Sequence, residues 1–318
     1  MSILRVAASP ADINIGGYDF LKDGVGYDAS RVTGCFFIDN TRSFEVEFAE
    51  ASGTSTWFHA RVFHSVEGSF QNGSLFFAHD SDNNTLAQID FTGRSEYLEV
   101  YGDTTFESPS RTNGFGTFHL YDLHLEVTST EIIGTYYLNG IRIATGTVAN
   151  TVGEKGKPNR VVFNTATGSG LFISEIIIAD EDTRGMRIRE LRPQSFGVFQ
   201  DWDGNIQSLR DDDIATGLST DTADRRASFG VSNLSNIQEE DLINRVVVQS
   251  YAQRGVSGLS AFNHFFRFSD GTVEDGDNIT LTTIGSWAIE EFLQNPDTVA
   301  DWEAADFAGI QTGIRSRA

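Results

Sequence analysis

Six histidines, one cysteine and a surplus of carboxylates are what this chain could use for chemistry. The histidines do not assemble by spacing. His59 and His64 lie five residues apart, as do His119 and His124. An odd separation on one strand sends two side chains to opposite faces, so neither pair can chelate one ion directly. His79 beside Asp80, and His264 within Phe262-Asn263-His264-Phe265-Phe266, read as packed or hydrogen-bonded strand residues. A histidine metal site would need separated strands to converge. Cys35 is the single cysteine, which excludes an intrachain disulfide and a cysteine-based zinc site. Its neighbours Gly34, Phe36, Phe37 and Ile38 make it a small hydrophobe of an inner strand. No phosphate-cradling glycine loop, nucleophile elbow or H-E-x-x-H pair occurs. No nucleophile–base pair is visible along the chain, and the expectation is a protein that is not an enzyme.

Carboxylates offer two further chemistries. Asp80-Ser81-Asp82-Asn83-Asn84 opens like a calcium loop, with oxygen donors at its first, third and fifth places. It then has Thr85 where an EF-hand needs glycine and Phe91 where it needs a bidentate Glu, so an EF-hand is rejected. A calcium site at a sandwich edge, using Asp80, Asp82 and Asn84, stays as the one cofactor candidate. Asp201-Trp202-Asp203-Gly204-Asn205 and Asp211-Asp212-Asp213 read as solvated loops. Glycoside hydrolysis needs two acids about 5–10 Å apart on one face. Glu45 and Glu47 share a strand face, but in an acid-rich chain spacing alone establishes no pair. Trp57, Tyr97, Tyr101 and Phe115 are candidate platforms for sugar rings, each with core packing as the alternative.

The elements that would position these residues follow from composition and pattern. The 318 residues suggest two domains, and 39% hydrophobic content with 25 Phe can bury real cores. A formal charge of −22 argues against nucleic acid and anionic membrane surfaces as partners. Lysine occurs only at Lys22, Lys155 and Lys157. The N-terminus lacks a basic region followed by a continuous apolar one, so no signal peptide is expected. No run approaches the roughly 18 apolar residues of a membrane helix, so no membrane insertion is expected.

Period-two alternation recurs every 8–12 residues with Gly and Asn between, which predicts an all-β fold. Phe44, Val46 and Phe48 oppose Glu45 and Glu47, and Phe58, Ala60, Val62 and His64 oppose Trp57, His59, Arg61 and Phe63. The firmest local signal is Leu120–Val127 and Gly134–Leu138, an Asn139-Gly140 turn, and a return over Ile141–Val148. Asn-Gly supplies the two adjacent positive-φ residues of a type I′ hairpin. Residues 1–35 suggest an arm or edge hairpin, 36–192 a first sandwich, and 193–318 a second, smaller β-sandwich. The last 126 residues hold 20 acids, 8 Arg and no Lys. In that part Trp287–Leu293 and Val299–Phe307 are predicted as places where a helical turn intrudes, and Gly309–Arg315 as a closing strand.

Residues 36–180 resemble the concanavalin A-like, laminin G-like jelly roll. The resemblance is carried by Phe44-Glu45-Val46-Glu47-Phe48, by Phe118–Val127, by the hairpin Tyr136-Tyr137-Leu138-Asn139-Gly140, and by the closing strand Leu171–Ile178. Phe118 stands where that family often has Trp. The run Ile173–Arg189, the element Trp202-Asp203-Gly204 and the ending Asn295-Pro296-Asp297…Asp301-Trp302 resemble tailed-bacteriophage virion proteins. That resemblance implies a non-enzymatic structural protein, a tail fibre or baseplate-associated appendage, with a role in binding host-surface glycans. It implies a homo-oligomer, a trimer by analogy with fibres, with other tail, baseplate or capsid proteins as partners. It also implies residence in the virion after assembly in the host bacterial cytoplasm. Capsid decoration, a carbohydrate-binding module and a sandwich glycosidase remain as alternatives.

Overall fold

The computed structural model describes residues 3–7, 15–16, 18–22, 26–39, 42–64, 73–92, 95–112, 116–165, 170–210, 213, 215–232, 237, 239, 242–256 and 258–318. They divide into two compact units, Met1–Arg189 and Glu190–Ala318. The strands of the first unit are β1 (Ile3–Ala7), β2 (Ile15–Gly16), β3 (Asp19–Leu21), β4 (Cys35–Asp39), β5 (Ser43–Glu47) and β6 (Ser55–His64). Then come β7 (Gly73–Asp80), β8 (Thr85–Thr92), β9 (Ser95–Tyr101), β10 (Thr105–Glu107) and β11 (Arg111–Thr112). The unit ends with β12 (Phe118–Val127), β13 (Glu131–Leu138), β14 (Ile141–Ala149), β15 (Pro158–Thr165) and β16 (Gly170–Ala179). No helix among the described residues is long and apolar enough to cross a membrane.

Sheet one runs β14-β13-β12-β6-β16-β4-β3, with β1 also on β16, and sheet two runs β10-β9-β8-β7-β15-β5-β2, with β11 also on β9. The predicted all-β sandwich is what forms. The alternation read from sequence is the burial observed: Phe44 and Val46, and Phe58, Ala60 and Val62, point into one core shared by both sheets. Phe44 stacks on Phe163 there, with centroids 4.8 Å apart. Asn139 and Gly140 take φ of 50° and 77°, and Leu138 pairs directly with Ile141, so the two-residue turn is as predicted. The opening residues, expected as an arm or edge hairpin, supply β1 and β3 to sheet one and β2 to sheet two.

One irregularity shapes sheet one. β16 pairs β4 through Gly170–Ile173 and β1 through Ile176–Ala179, and Glu175 between them sits at φ 52°. Such a bulge re-aims a strand and its side chains. Glu175 is thereby turned to accept from Arg187 Nε at 2.6 Å and Nη2 at 2.8 Å, and from the Ile188 amide at 3.2 Å. This clamp draws the chain after β16 back over the outer face of sheet one. Tyr27, Val32, Cys35, Phe172 and Ile188 close a satellite core on the same side. Cys35 does lie on an inner strand, between β3 and β16.

The second unit holds β17 (Pro193–Gln200), β18 (Arg226–Val231), β19 (Val246–Ala252), β20 (Ala261–Arg267), β21 (Val273–Asp275), β22 (Ile279–Thr280), β23 (Ser286–Phe292) and β24 (Gln311–Arg317). Sheet three runs β17-β18-β24-β20-β21, with β22 also on β20, and β19 and β23 form a separate two-stranded ribbon. Val246, Val248 and Phe292 of the ribbon pack with Phe266 of sheet three around Trp302, Phe307 and Ile310. One sequence expectation is corrected here. Residues 287–292 are strand, because β19 pairs them from Val246↔Phe292 to Ala252↔Ser286, a partnership that local propensity does not reveal. The expected closing strand at 309–315 is present as β24, which lies between β18 and β20 in its sheet. Only Ala304–Phe307 makes a helical turn in the other predicted stretch.

Candidate functional site

The two outward faces of the first unit differ in kind. On sheet one, Thr183 Oγ1 donates to Asp122 Oδ1 at 2.9 Å, and His59 Nδ1 donates to the same oxygen at 2.8 Å. The Arg184 guanidinium lies 4.6 Å from the Tyr137 ring centroid and 5.6 Å from that of Trp57. Trp57 also stacks on His124 at 4.3 Å and 12°. It is only 7% exposed, so its ring faces are spent on protein partners. As a sugar platform Trp57 is therefore corrected to a packed residue. Residues after β16 cover it, with Thr183 bonded to Asp122 and Arg184 held by Asp182, far from Trp57 in sequence.

Sheet two turns polar and aromatic side chains outward. Its β8 and β9 pair in register Gln88↔Glu99 and Asp90↔Tyr97. Ala87, Ile89, Leu98 and Val100 enter the core. The alternation therefore leaves Gln88 and Asp90, and Tyr97, Glu99 and Tyr101, on the other face. The Tyr97 hydroxyl donates to Asp90 Oδ2 at 2.6 Å, and Ser74 Oγ donates to Asp90 Oδ1 at 3.2 Å. The Tyr101 hydroxyl donates to Glu99 Oε2 at 2.5 Å, and Gln88 Nε2 donates to both Glu99 and the Tyr101 oxygen. Two phenol rings are thus held by carboxylates along one row. Tyr97 and Tyr101, both singled out in sequence, come together here. Phe115 lies outside the described residues.

The row has distinct electrostatics. Burial raises the Asp90 carboxyl above its ordinary value, with the Glu99 charge adding to it, against hydrogen bonds from Tyr97 and Ser74. Burial, and then the bond to Asp90, push the Tyr97 phenol up to about 12. Tyr101 is raised in the same way, by burial and by Glu99. Both phenols stay protonated at neutral pH and act as donors. Beyond them, at the end of the sheet formed by β5, β7 and β15, a cavity of about 310 Å³ is lined by Glu47, Phe48, Asp80, Asn83 and Arg160 among others. Arg160 Nη2 donates to Asn83 Oδ1 at 2.6 Å, and Arg160 Nη1 lies 3.6 Å from Glu45.

The candidate calcium loop borders this cavity. Asp80 Oδ1 accepts from the amides of Asp82 (3.0 Å) and Asn84 (2.8 Å), and Oδ2 accepts from Asn84 Nδ2 (2.9 Å) and the Gly156 amide (3.0 Å). Four N–H donors converge on the carboxylate that a cation would need, and Asn84 points its amide nitrogen, not its oxygen, at Asp80. In this geometry Asp80 anchors the turn and the 150–158 loop. No group of three or more His, Cys, Asp or Glu that could hold a metal ion occurs among the described residues.

Inside the sandwich is a second polar network. Glu96 is fully buried and accepts from the hydroxyls of Tyr121 (2.9 Å) and Tyr136 (2.7 Å), with Arg111 Nε at 3.2 Å. His64 Nε2 lies 3.0 Å from the Tyr121 oxygen. Tyr121 has one hydroxyl proton and gives it to Glu96, so His64 donates from Nε2. Burial lowers the His64 pKa to about 3 and raises both phenols. The separation into core His64 and outward His59 is the one the five-residue spacing predicts. Sequence reasoning missed Gln88, Asp90, Glu96 and Glu99. For Gln88, Asp90 and Glu99 the signal was the polar half of each strand's alternation, which also marks ordinary solvated positions; Glu96 stands on the core half of β9 with Leu98 and Val100, an acid out of place among them.

No family model matches the chain, and no curated protein matches it. Among solved structures it is similar to the receptor-binding domain of botulinum neurotoxin mosaic serotype C/D, at 8% identity over 52% of this chain and 43% of that one, with a TM-score of 0.38. It is similar to the alginate lyase vAL-1 from Chlorella virus, at 7% identity over 53% and 91% of the two chains, with a TM-score of 0.38. It is also similar to the binding domain of botulinum neurotoxin DC in complex with SialylT, at 9% identity over 86% and 68%, with a TM-score of 0.39. The chain spans less than half, 43%, of the length of the first of these. None of the three is a bacteriophage protein.

Proposed function

We propose that the chain binds carbohydrate on the outward face of sheet two. The observation that carries this reading is the row Tyr97–Asp90 and Tyr101–Glu99–Gln88, in which aromatic rings and hydrogen-bonding groups alternate on one rigid sheet. Aromatic rings offer apolar surface to the C–H face of a sugar, and fixed carboxylates and amides select its hydroxyls. Glu45, Glu47, Asp90 and Glu99 alternate outward on the strands of this sheet, so its field disfavours a polyanionic glycan and suits a neutral one. The test is isothermal calorimetry and a glycan array with the intact chain. Neutral oligosaccharides bind, and Tyr97→Ala and Tyr101→Ala each weaken binding about 2- to 10-fold. Binding that both substitutions leave unchanged, or no binding at all, overturns the assignment.

The finer setting, a virion appendage contacting a host surface as a homo-oligomer, is supported by the sequence resemblance of 173–189, 202–204 and 295–302. Cryo-electron microscopy of particles carrying the protein, with an antibody label, tests it. A second reading of the same face, glycoside hydrolysis, is favoured by one observation. Asp90 and Glu99 are diagonal neighbours across β8 and β9, and burial raises Asp90. Diagonal pairs stand about 7 Å apart, within the range of a general acid and its partner carboxylate. Polysaccharide cleavage that Glu99→Gln abolishes would establish that reading.

A further inference from the structure

Three side chains that sequence spacing never associated meet between the two layers of the second unit. Ser250 Oγ lies 2.9 Å from His264 Nε2, and His264 Nδ1 lies 3.0 Å from Glu290 Oε2. Each comes from a different strand: Ser250 from β19, His264 from β20 and Glu290 from β23. A carboxylate only accepts, so the hydrogen-bond pattern assigns the proton to Nδ1 and leaves Nε2 as the acceptor for the Ser250 hydroxyl. This is the order of contacts by which a nucleophilic hydroxyl is activated: acid on one ring nitrogen, hydroxyl on the other.

The surroundings hold the arrangement. His264 is fully buried, with the Phe262 ring edge-on at 5.2 Å. The Asp277 amide donates to Glu290 Oε1 at 2.5 Å, and the Gly276 amide donates to the His264 carbonyl at 2.8 Å. A Cβ at Gly276 would collide with the Glu290 carboxylate, so only glycine lets that turn close on it. Ser250 keeps part of its surface, near the end of the ribbon where Ala252 pairs Ser286. Val256 and Ile284 stand exposed on the two loops that continue from that end. Among the described residues β19 pairs only with β23. In an antiparallel ribbon alternate amides point away from the partner strand, so one of the Ser250 and Tyr251 amides points outward from the free edge.

We propose that Ser250, His264 and Glu290 form an esterase site for small acyl esters, separate from the glycan-binding face. Ser250 Oγ attacks the acyl carbonyl and passes its proton to His264 Nε2. The C–O bond to the alcohol breaks, and the alcohol leaves with that proton. Water then attacks the acyl-serine, gives a proton to Nε2, and releases the carboxylic acid as the proton returns to Ser250. Glu290 is a positioning residue, fixing the ring and its tautomer.

The test incubates the intact chain with a fluorophosphonate probe and, separately, with p-nitrophenyl acetate. Expected are a covalent adduct on the Ser250 peptide by mass spectrometry and ester turnover that Ser250→Ala reduces to background. Glu290→Gln lowers kcat by about 10²-fold or more with KM little changed, and removes the low-field proton resonance of His264 Nδ1–H. Because the adduct is read on the unsubstituted protein, misfolding of a variant does not obscure the outcome. No adduct at Ser250, or turnover equal in the unsubstituted chain and Ser250→Ala, overturns the proposal.

Discussion

Acidification should unfold the first unit through His64, and the size of the effect can be worked from its surroundings. The ring is enclosed between β6, β12 and the core, touching Phe91 edge-on at 5.2 Å and donating to Tyr121. Burial first, and the charge of His119 second, hold its pKa at about 3 against an ordinary value of 6.5. In the unfolded chain the ring takes up a proton below about 6.5, whereas in the fold it stays neutral down to about 3. The stabilisation is therefore complete above pH 6.5 and is lost as pH falls toward 3. The loss runs at about 1.4 kcal/mol per pH unit and amounts to on the order of 5 kcal/mol over the whole window. That approaches the entire stability of a typical domain.

The perturbation is His64→Gln, which keeps an N–H donor toward Tyr121 and removes the titration. Trp57 is the only one of the four tryptophans in the first unit, so its resonance in a 5-fluorotryptophan-labelled chain reports that unit alone. Urea titrations by ¹⁹F NMR at several pH values between 7 and 4 then compare the two proteins. Expected is a fall in stability for the unsubstituted chain that is steeper by about 1 kcal/mol per pH unit than for His64→Gln. Equal slopes would refute the reasoning, because they would mean that His64 is hydrated in the fold.

The remaining predictions concern local geometry. Arg187→Met leaves the buried Glu175 carboxylate without its bidentate partner and should cost about 3–5 kcal/mol, read as a lower melting temperature for the Trp57 resonance. At the 139–140 turn, Gly140→Ala meets no neighbouring atom but must hold φ 77°, so it should cost about 1–2 kcal/mol, while Asn139→Gly should be close to neutral. Asp80→Ala removes an acceptor shared by four N–H groups and should destabilise the 80–84 turn and the 150–158 loop together, seen as faster amide exchange in both. Chelation by EDTA should leave the unsubstituted chain's melting curve where it was, since those donors occupy the carboxylate.

Much of the fold was legible because alternation is a local property. Phe44 and Val46, Phe58 and Val62, and the Asn139-Gly140 turn needed only their neighbours in the chain to declare a face or a reversal. The candidate site was legible in part. Tyr97 and Tyr101 could be proposed from residue type, but so could Trp57, and nothing within its own strand says that Arg184 and Thr183 close over that face. The acid-rich loop at Asp80 read as a cation site because sequence shows donors' identities and not their directions. The last two helical expectations failed or shrank for a related reason: a short apolar run takes its conformation from the strand beside it, and β19 lies some forty residues before β23.

What the sequence determined by itself, then, was an all-β chain, the faces of its cleanly alternating strands, and the place of its tightest turn. Tertiary structure alone decided which residues became neighbours. It set Glu99 beside Gln88, Glu175 under Arg187, and His264 between Ser250 and Glu290. Strand period is set by backbone geometry within a few residues. Register and layer stacking, in contrast, come from packing two sheets against each other across long separations in the chain.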